Sequence, residues 1–271
     1  MTLTSAGFLN DVNTDTKILL VVGILSTTLA GIFSGVQFAS AGEGQNKDTS
    51  IPLKEAKLII EHNAKDNDTG FQGAVDSEGW NKLTLTGPDG KQLDFKATGE
   101  LGKLGLSELF FETVEPENVD VPIADLLESL PAGDYTFRAS GIEVGEKTGT
   151  QIGTASFTHD IPNGPKLLTP AEDEEVPEDE DLLVSWEPVT KTIDGRDVKI
   201  IAYQLIIEVD EDPHPNMIGK MGLSMYLPPD VTEISIPEAF LLPGTDYDWE
   251  VLAIEESGNQ TLMSSAFSTS D

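Results

Sequence analysis

The stretch Leu241-Leu242-Pro243-Gly244-Thr245-Asp246-Tyr247-Asp248-Trp249-Glu250-Val251-Leu252-Ala253-Ile254-Glu255-Glu256-Ser257-Gly258-Asn259-Gln260-Thr261 decides the fold. A Pro-Gly turn leads into an alternating run in which Tyr247, Trp249, Val251 and Ala253 share one face, and Ser257-Gly258-Asn259 closes it. Alternation of period two is the signature of a strand with one buried face. Asp248 and Glu250, which fall between the apolar residues, are expected to face water.

Working outward, Lys166-Leu167-Leu168-Thr169-Pro170 reads as a strand ended by proline, and Leu182-Leu183-Val184-Ser185-Trp186-Glu187-Pro188 as a second. Ile201 to Val209, Gly222 to Leu227, Glu233 to Ile236 and Leu262 to Ser268 complete the set, with Phe267 near the end. The order and spacing of these segments, together with Leu242-Pro243-Gly244-Thr245-Asp246-Tyr247, resemble a fibronectin type III domain over residues about 165–269. That resemblance implies a β-sandwich in which Trp186 fills the core and Tyr247 forms a corner, its hydroxyl bonding backbone a few residues upstream. It also implies a spacer or interaction module, an inference from fold to function.

A second sandwich is expected before it. Ala56 to Asn63 and Phe71 to Val75 read as strands around the turn Asp66-Asn67-Asp68-Thr69-Gly70, and Lys82 to Thr86 and Gln92 to Ala97 flank Gly87-Pro88-Asp89-Gly90. Asp-Gly tolerates the positive φ that a tight hairpin demands. Gly105 to Thr113, Asp134 to Ser140 and Gly153 to His159 add three strands, and Ile123, Leu126, Leu127 and Leu130 recur at helical spacing after Pro122. Leu130-Pro131-Ala132-Gly133-Asp134-Tyr135 echoes the phrase ending in Tyr247. The fold class is therefore all-β: two tandem antiparallel β-sandwich, immunoglobulin-like domains after an N-terminal apolar segment, with one short helix in the first. The divisions are 1–41, a signal peptide or membrane anchor; 42–52, a linker; 53–161, a sandwich of unassigned type; and 165–271, the fibronectin type III-like domain.

Composition narrows the function. Acids outnumber bases 48 to 16, for a formal net charge of −32, which disfavours nucleic acid and anionic membrane surfaces because both are bound by Lys and Arg. There is no cysteine, so disulfides and thiolate chemistry are excluded. The apolar run Ile18 to Phe38 ends in Ala39-Ser40-Ala41, a cleavage-type triplet, although the run is also long enough to span a bilayer. Either reading makes the protein secreted, periplasmic or displayed at the cell surface, touching membrane only through this segment.

No phosphate-binding glycine loop, nucleophile elbow or His-Glu-x-x-His motif is present, and no catalytic residue is assigned. The metal candidates are Asp66 and Asp68 in the oxygen-rich turn, with His62 beside it and His159 at the end of another strand. Calcium is the ion such oxygens suit. The acid run Glu172 to Asp181 is read as a solvated loop, since like charges so dense repel. Asn67-Asp68-Thr69 and Asn259-Gln260-Thr261 match the glycosylation pattern. Trp80 is the aromatic to inspect for sugar stacking. The functional expectation is an exported, non-catalytic structural or interaction module with a protein or polysaccharide partner; the alternative is accessory domains of a surface hydrolase or of a carbohydrate- or calcium-binding protein.

Overall fold

The computed structural model describes residues 50–140 and 150–271. The apolar segment within 1–41 and nearly all of the 42–52 linker lie outside them. No helix among the described residues is long and apolar enough to cross a membrane.

Alternation becomes strand wherever one face can be buried. The first sandwich contains β1 (Ile51–Pro52), β2 (Glu55–Asn63), β3 (Asp68–Trp80), β4 (Lys82–Thr86), β5 (Gln92–Lys96), β6 (Leu106–Glu112), β7 (Gly133–Ser140) and β8 (Gln151–Phe157). Helix α1 (Gly99–Gly102) is a single turn between β5 and β6 that the sequence reading did not anticipate, and α2 (Ile123–Ser129) is the expected helix. β3 is far longer than the Phe71–Val75 expectation because Gly79, at φ 144°, lets the strand bend and carry Trp80 into the core. The 87–90 hairpin turns on Gly90 at φ 81°.

The second sandwich contains β9 (Lys166–Thr169), β10 (Glu174–Val176), β11 (Leu182–Glu187), β12 (Ile200–Val209), β13 (Gly222–Leu227), β14 (Glu233–Ile236), β15 (Asp246–Glu255) and β16 (Gln260–Thr269). All seven strands read from the sequence of this half are present. β10 is an addition inside the acid run.

Two sheets close each core. In the first sandwich, β1-β8-β7-β4-β5 packs over β2-β3-β6; in the second, β14-β11-β9 packs over β13-β12-β15-β16. Trp80, Leu83, Phe137 and Phe157 anchor the first core, and Trp186, Tyr203, Trp249 and Val251 the second. Tyr247 is fully buried and accepts the Leu242 N–H at 2.7 Å on its hydroxyl, the corner that the resemblance implied. The echoed phrase builds a matching corner in the first sandwich, where the Tyr135 hydroxyl donates to the Pro131 carbonyl at 2.9 Å.

The two sandwiches share a sheet. The outer edge of β16 is divided: its start pairs in parallel with β2 of the first sandwich, Gln260 opposite Glu61 and Leu262 opposite Asn63, and its end pairs in parallel with β10. One continuous sheet therefore runs β13-β12-β15-β16-β2-β3-β6 through both domains. Asn259 fixes this seam. Its Oδ1 accepts the Ile60 N–H at 2.9 Å, and its Nδ2 donates to the Thr158 carbonyl, the Thr158 hydroxyl and the Asp160 carbonyl at 3.0 to 3.2 Å.

Candidate functional site

The shared sheet has an outer face that belongs to neither core. Strand parity puts Gln204 and Ile206 of β12, Glu250 and Leu252 of β15, Gln260 and Leu262 of β16, Glu61 of β2, Gln72 of β3 and Glu112 of β6 on this side. An outward-facing row would ordinarily be solvated. Here Ile206, Leu252 and Leu262 form a third apolar cluster, and Gln204, Gln260, Gln72 and Glu61 are buried beside it.

Carboxyl groups collect at the seam end of this face. One oxygen from each of Glu61, Glu112 and Glu115 lies within 4.8 Å of the others, the one such group of acidic or metal-ligating side chains among the described residues. Glu115 reaches the cluster because Gly70 has no side chain: a Cβ at position 70 would stand 2.6 Å from Glu115 Cγ. Gln72 Nε2 donates to Glu112 at 2.8 Å, and Gln260 Nε2 donates to Glu61 across the seam. Oε1 of Glu115 and Oε1 of Glu250 are inaccessible to water and accept no hydrogen bond.

Every charged group acting on Glu61, Glu115 and Glu250 is another acid. Two like charges about 4 Å apart near a protein surface repel by about 4 kcal/mol at an effective dielectric of about 20. Loss of solvation on burial, with that repulsion added, pushes the Glu61 carboxyl up to about 7 and those of Glu115 and Glu250 up to about 8. Glu61, Glu115 and Glu250 are therefore held so that they keep protons near neutral pH. The expectation that Glu250 faces water is corrected: its side chain is half-buried, with Oε1 shut off from water, on the face that also buries Ile206 and Leu252.

The four metal candidates from the sequence do not assemble into one group. Nδ1 of His62 lies 2.9 Å from the Asp68 carbonyl and 2.9 Å from the Thr69 hydroxyl, a local turn lock, and burial lowers the imidazole's affinity for a proton. Asp66 is exposed and accepts from Asn63 Nδ2 at 2.9 Å. Nε2 of His159 meets the Leu130 carbonyl at 2.8 Å, and its ring packs edge-on against Phe157. Asp68 alone is electrostatically linked to the glutamate cluster, through Glu61 and Glu115. Sequence reading missed Glu61, Glu112, Glu115 and Glu250 because three separate strands and a loop supply them. The usable signal was a polar Glu61, Gln72 and Gln260 at strand positions that otherwise suit β-branched residues.

Other expectations change as well. Trp80 is 1% exposed and lies within the first core, so it offers no sugar platform. Asn259 is 1% exposed and consumed by the seam, which removes it as a glycosylation acceptor, while Asn67 stays exposed in its turn at φ 55°. The acid run is partly structural. Glu174 accepts the Ala171 N–H at 2.7 Å, Glu178 accepts from the Ser270 hydroxyl at 2.7 Å, and Asp181 accepts the Glu238 N–H at 3.0 Å.

No protein-family model and no curated protein matches the chain. Among solved structures it is similar to the two fibronectin type III domain segment from chicken tenascin, at 14% identity and TM-score 0.27, covering 80% of this chain and 99% of that one. It is also similar to the FN1–FN3 domains of chicken CNTN1, at 12% identity and TM-score 0.29, covering 81% of this chain and 66% of that one. Both neighbours are structures of fibronectin type III domains.

Proposed function

We propose that this chain is an exported, non-catalytic structural and interaction module whose two sandwiches act as one body. The observation that carries the reading is the shared sheet. Pairing of β16 with β2, locked by Asn259, fixes the angle between the domains where a flexible linker would leave it free. Such a body can hold a partner at a set orientation.

A protein partner suits the surface better than a polysaccharide. All three tryptophans are buried in the cores, leaving no indole for sugar stacking. The loop between β12 and β13 instead presents Met217, Ile218 and Met221, with Ile218 91% exposed, and Tyr226 follows on the edge strand. Adaptable methionine and an aromatic are typical of protein-binding surfaces.

Two measurements test the reading. Protease added to cells that express the full-length chain, with any outer membrane permeabilised and the cytoplasmic membrane intact, should remove both sandwiches, and complete protection of cell-associated chain would refute export. A photo-crosslinker placed at Met221 should capture a discrete protein. Ile218→Asp should abolish that capture while changing unfolding free energy by no more than about 0.5 kcal/mol, as surface substitutions do. Undiminished capture by the variant would remove this loop as the contact.

A further inference from the structure

We propose that the seam between the two sandwiches is a proton-sensitive joint, closed when the Glu61 and Glu115 carboxyls, packed against Glu112, hold protons and loosened when they ionise. The proposal stands on where the groups lie. Glu61 sits on β2 at the three-residue stretch that pairs with β16, and its carboxylate takes a hydrogen bond from Gln260 of the other sandwich. Glu112 and Glu115 bring their oxygens within 4.8 Å of it and of one another. Charge placed here therefore acts directly on a strand pairing of three residue pairs that joins the two sandwiches.

Among the described residues no base is paired with Glu61, Glu112 or Glu115. Facing Glu61 are Asp68 on β3, Glu112 on β6 and Glu115 beyond it, with Glu250 on β15 across the seam. Behind Glu250 stand Glu208 on β12 and Asp248 on β15, and Tyr226 on β13 also faces this group. The lysines that border the face, Lys54, Lys57 and Lys220, are engaged with Asp76 at 3.7 Å, Glu55 at 2.9 Å and Asp248 at 3.6 Å. His62 is turned to the opposite side of β2, against Thr69.

The sign follows from proton linkage. A free glutamate titrates near about 4.3, whereas Glu61 is held up to about 7 and Glu115 up to about 8 in the closed seam. The closed form thus binds more protons than the open one. Its stabilisation is complete below about pH 4 and is lost as pH rises through about 7 to 8.

Amide hydrogen exchange on the full-length chain tests this with a local readout. The Ala64 N–H, bonded to the Leu262 carbonyl, and the Ile60 N–H, bonded to Asn259, report the seam; the Leu205 N–H in the β12–β15 ladder reports the second core. Between pH 5 and pH 8.5, corrected for intrinsic rates, protection at Ala64 and Ile60 should fall at least about tenfold relative to Leu205, as expected from a pKa displacement of more than one unit. In the Glu61→Gln, Glu115→Gln double variant the relative fall should shrink to less than about threefold, and Glu115→Gln alone should give an intermediate value. A parallel change at all three amides, or an undiminished fall in the double variant, would overturn the proposal. Restoration of seam protection at pH 8.5 by added Ca²⁺ would overturn it too, by assigning the cluster to a cation.

Discussion

The two faces of the shared sheet are made from the same strands and obey opposite rules. On the inner face of β15, Tyr247, Trp249, Val251 and Ala253 are almost wholly buried and pack against apolar partners, so shape decides what fits. One residue out of phase, Asp248, Glu250 and Leu252 lie on the outer face, where Leu252 is buried with Ile206 and Leu262 and the two acids are half-buried. There, polar groups are buried and their satisfaction, rather than their volume, sets stability. Burial alone therefore does not identify a core. An inner face resists loss of atoms, whereas this outer face should resist loss of hydrogen bonds and changes of charge.

The largest effect is expected on the inner face. Trp249→Ala removes a side chain 1% exposed between the sheets and should destabilise by about 3 to 5 kcal/mol in urea unfolding. Asn259→Ala should come next, at about 2 to 3 kcal/mol, because it strands the Ile60 N–H and leaves the Thr158 and Asp160 carbonyls without their donor. The two variants should differ in kind. Trp249→Ala should weaken the second sandwich as a unit, whereas Asn259→Ala should raise hydrogen exchange first at the seam amides. If both variants loosen the seam equally, the distinction between the faces fails.

Gly70→Ala probes the outer face by volume instead. The new Cβ would meet Glu115 Cγ at 2.6 Å and Oε1 at 2.7 Å, so the flexible glutamate must leave. A cost of about 1 to 3 kcal/mol at pH 5 is expected from overpacking. Expelled into water, Glu115 loses the burial that raises its carboxyl, and the decline of stability between about pH 5 and 8 should become shallower than in the parent. An unchanged slope would show that Glu115 does not contribute to the pH response.

The inner faces were legible in the sequence because period-two alternation is a local property: Tyr247, Trp249, Val251 and Ala253 could be placed by counting residues, and Trp186 through the family resemblance. The hairpin at Asp89-Gly90 was legible from its local turn chemistry, and the Tyr247 corner through the family resemblance, whereas the Tyr135 corner was foreshadowed only by the echoed phrase. What covers the reverse side of a strand is not local. Glu250 reads as solvated because its own strand does not show that the outer face buries Ile206, Leu252 and Leu262, and the four glutamates come from positions as far apart as 61 and 250. Trp80 was misread because a glycine-permitted bend at Gly79, three residues past Asp76, changes which way it points. The acid run hid a strand because three residues, Glu174 to Val176, suffice when a waiting edge on β16 supplies the pairing.

The smallest effect separates hydrogen bonding from shape on the inner face itself, through the two corners. Tyr247→Phe keeps the ring, which stacks on Phe267 with centroids 5.0 Å apart, and deletes only an acceptor for the Leu242 N–H. Tyr135→Phe keeps its edge contact with Phe157 and deletes a donor to the Pro131 carbonyl. Each should cost about 0.5 to 1.5 kcal/mol in urea unfolding, well below Trp249→Ala. Tyr247→Phe should be the costlier, since an N–H has a single proton to place while a carbonyl keeps a second lone pair for water. If either corner instead approaches the cost of Asn259→Ala, the inner face depends on directional bonds as heavily as the seam does, and the contrast between the two faces reduces to one of charge.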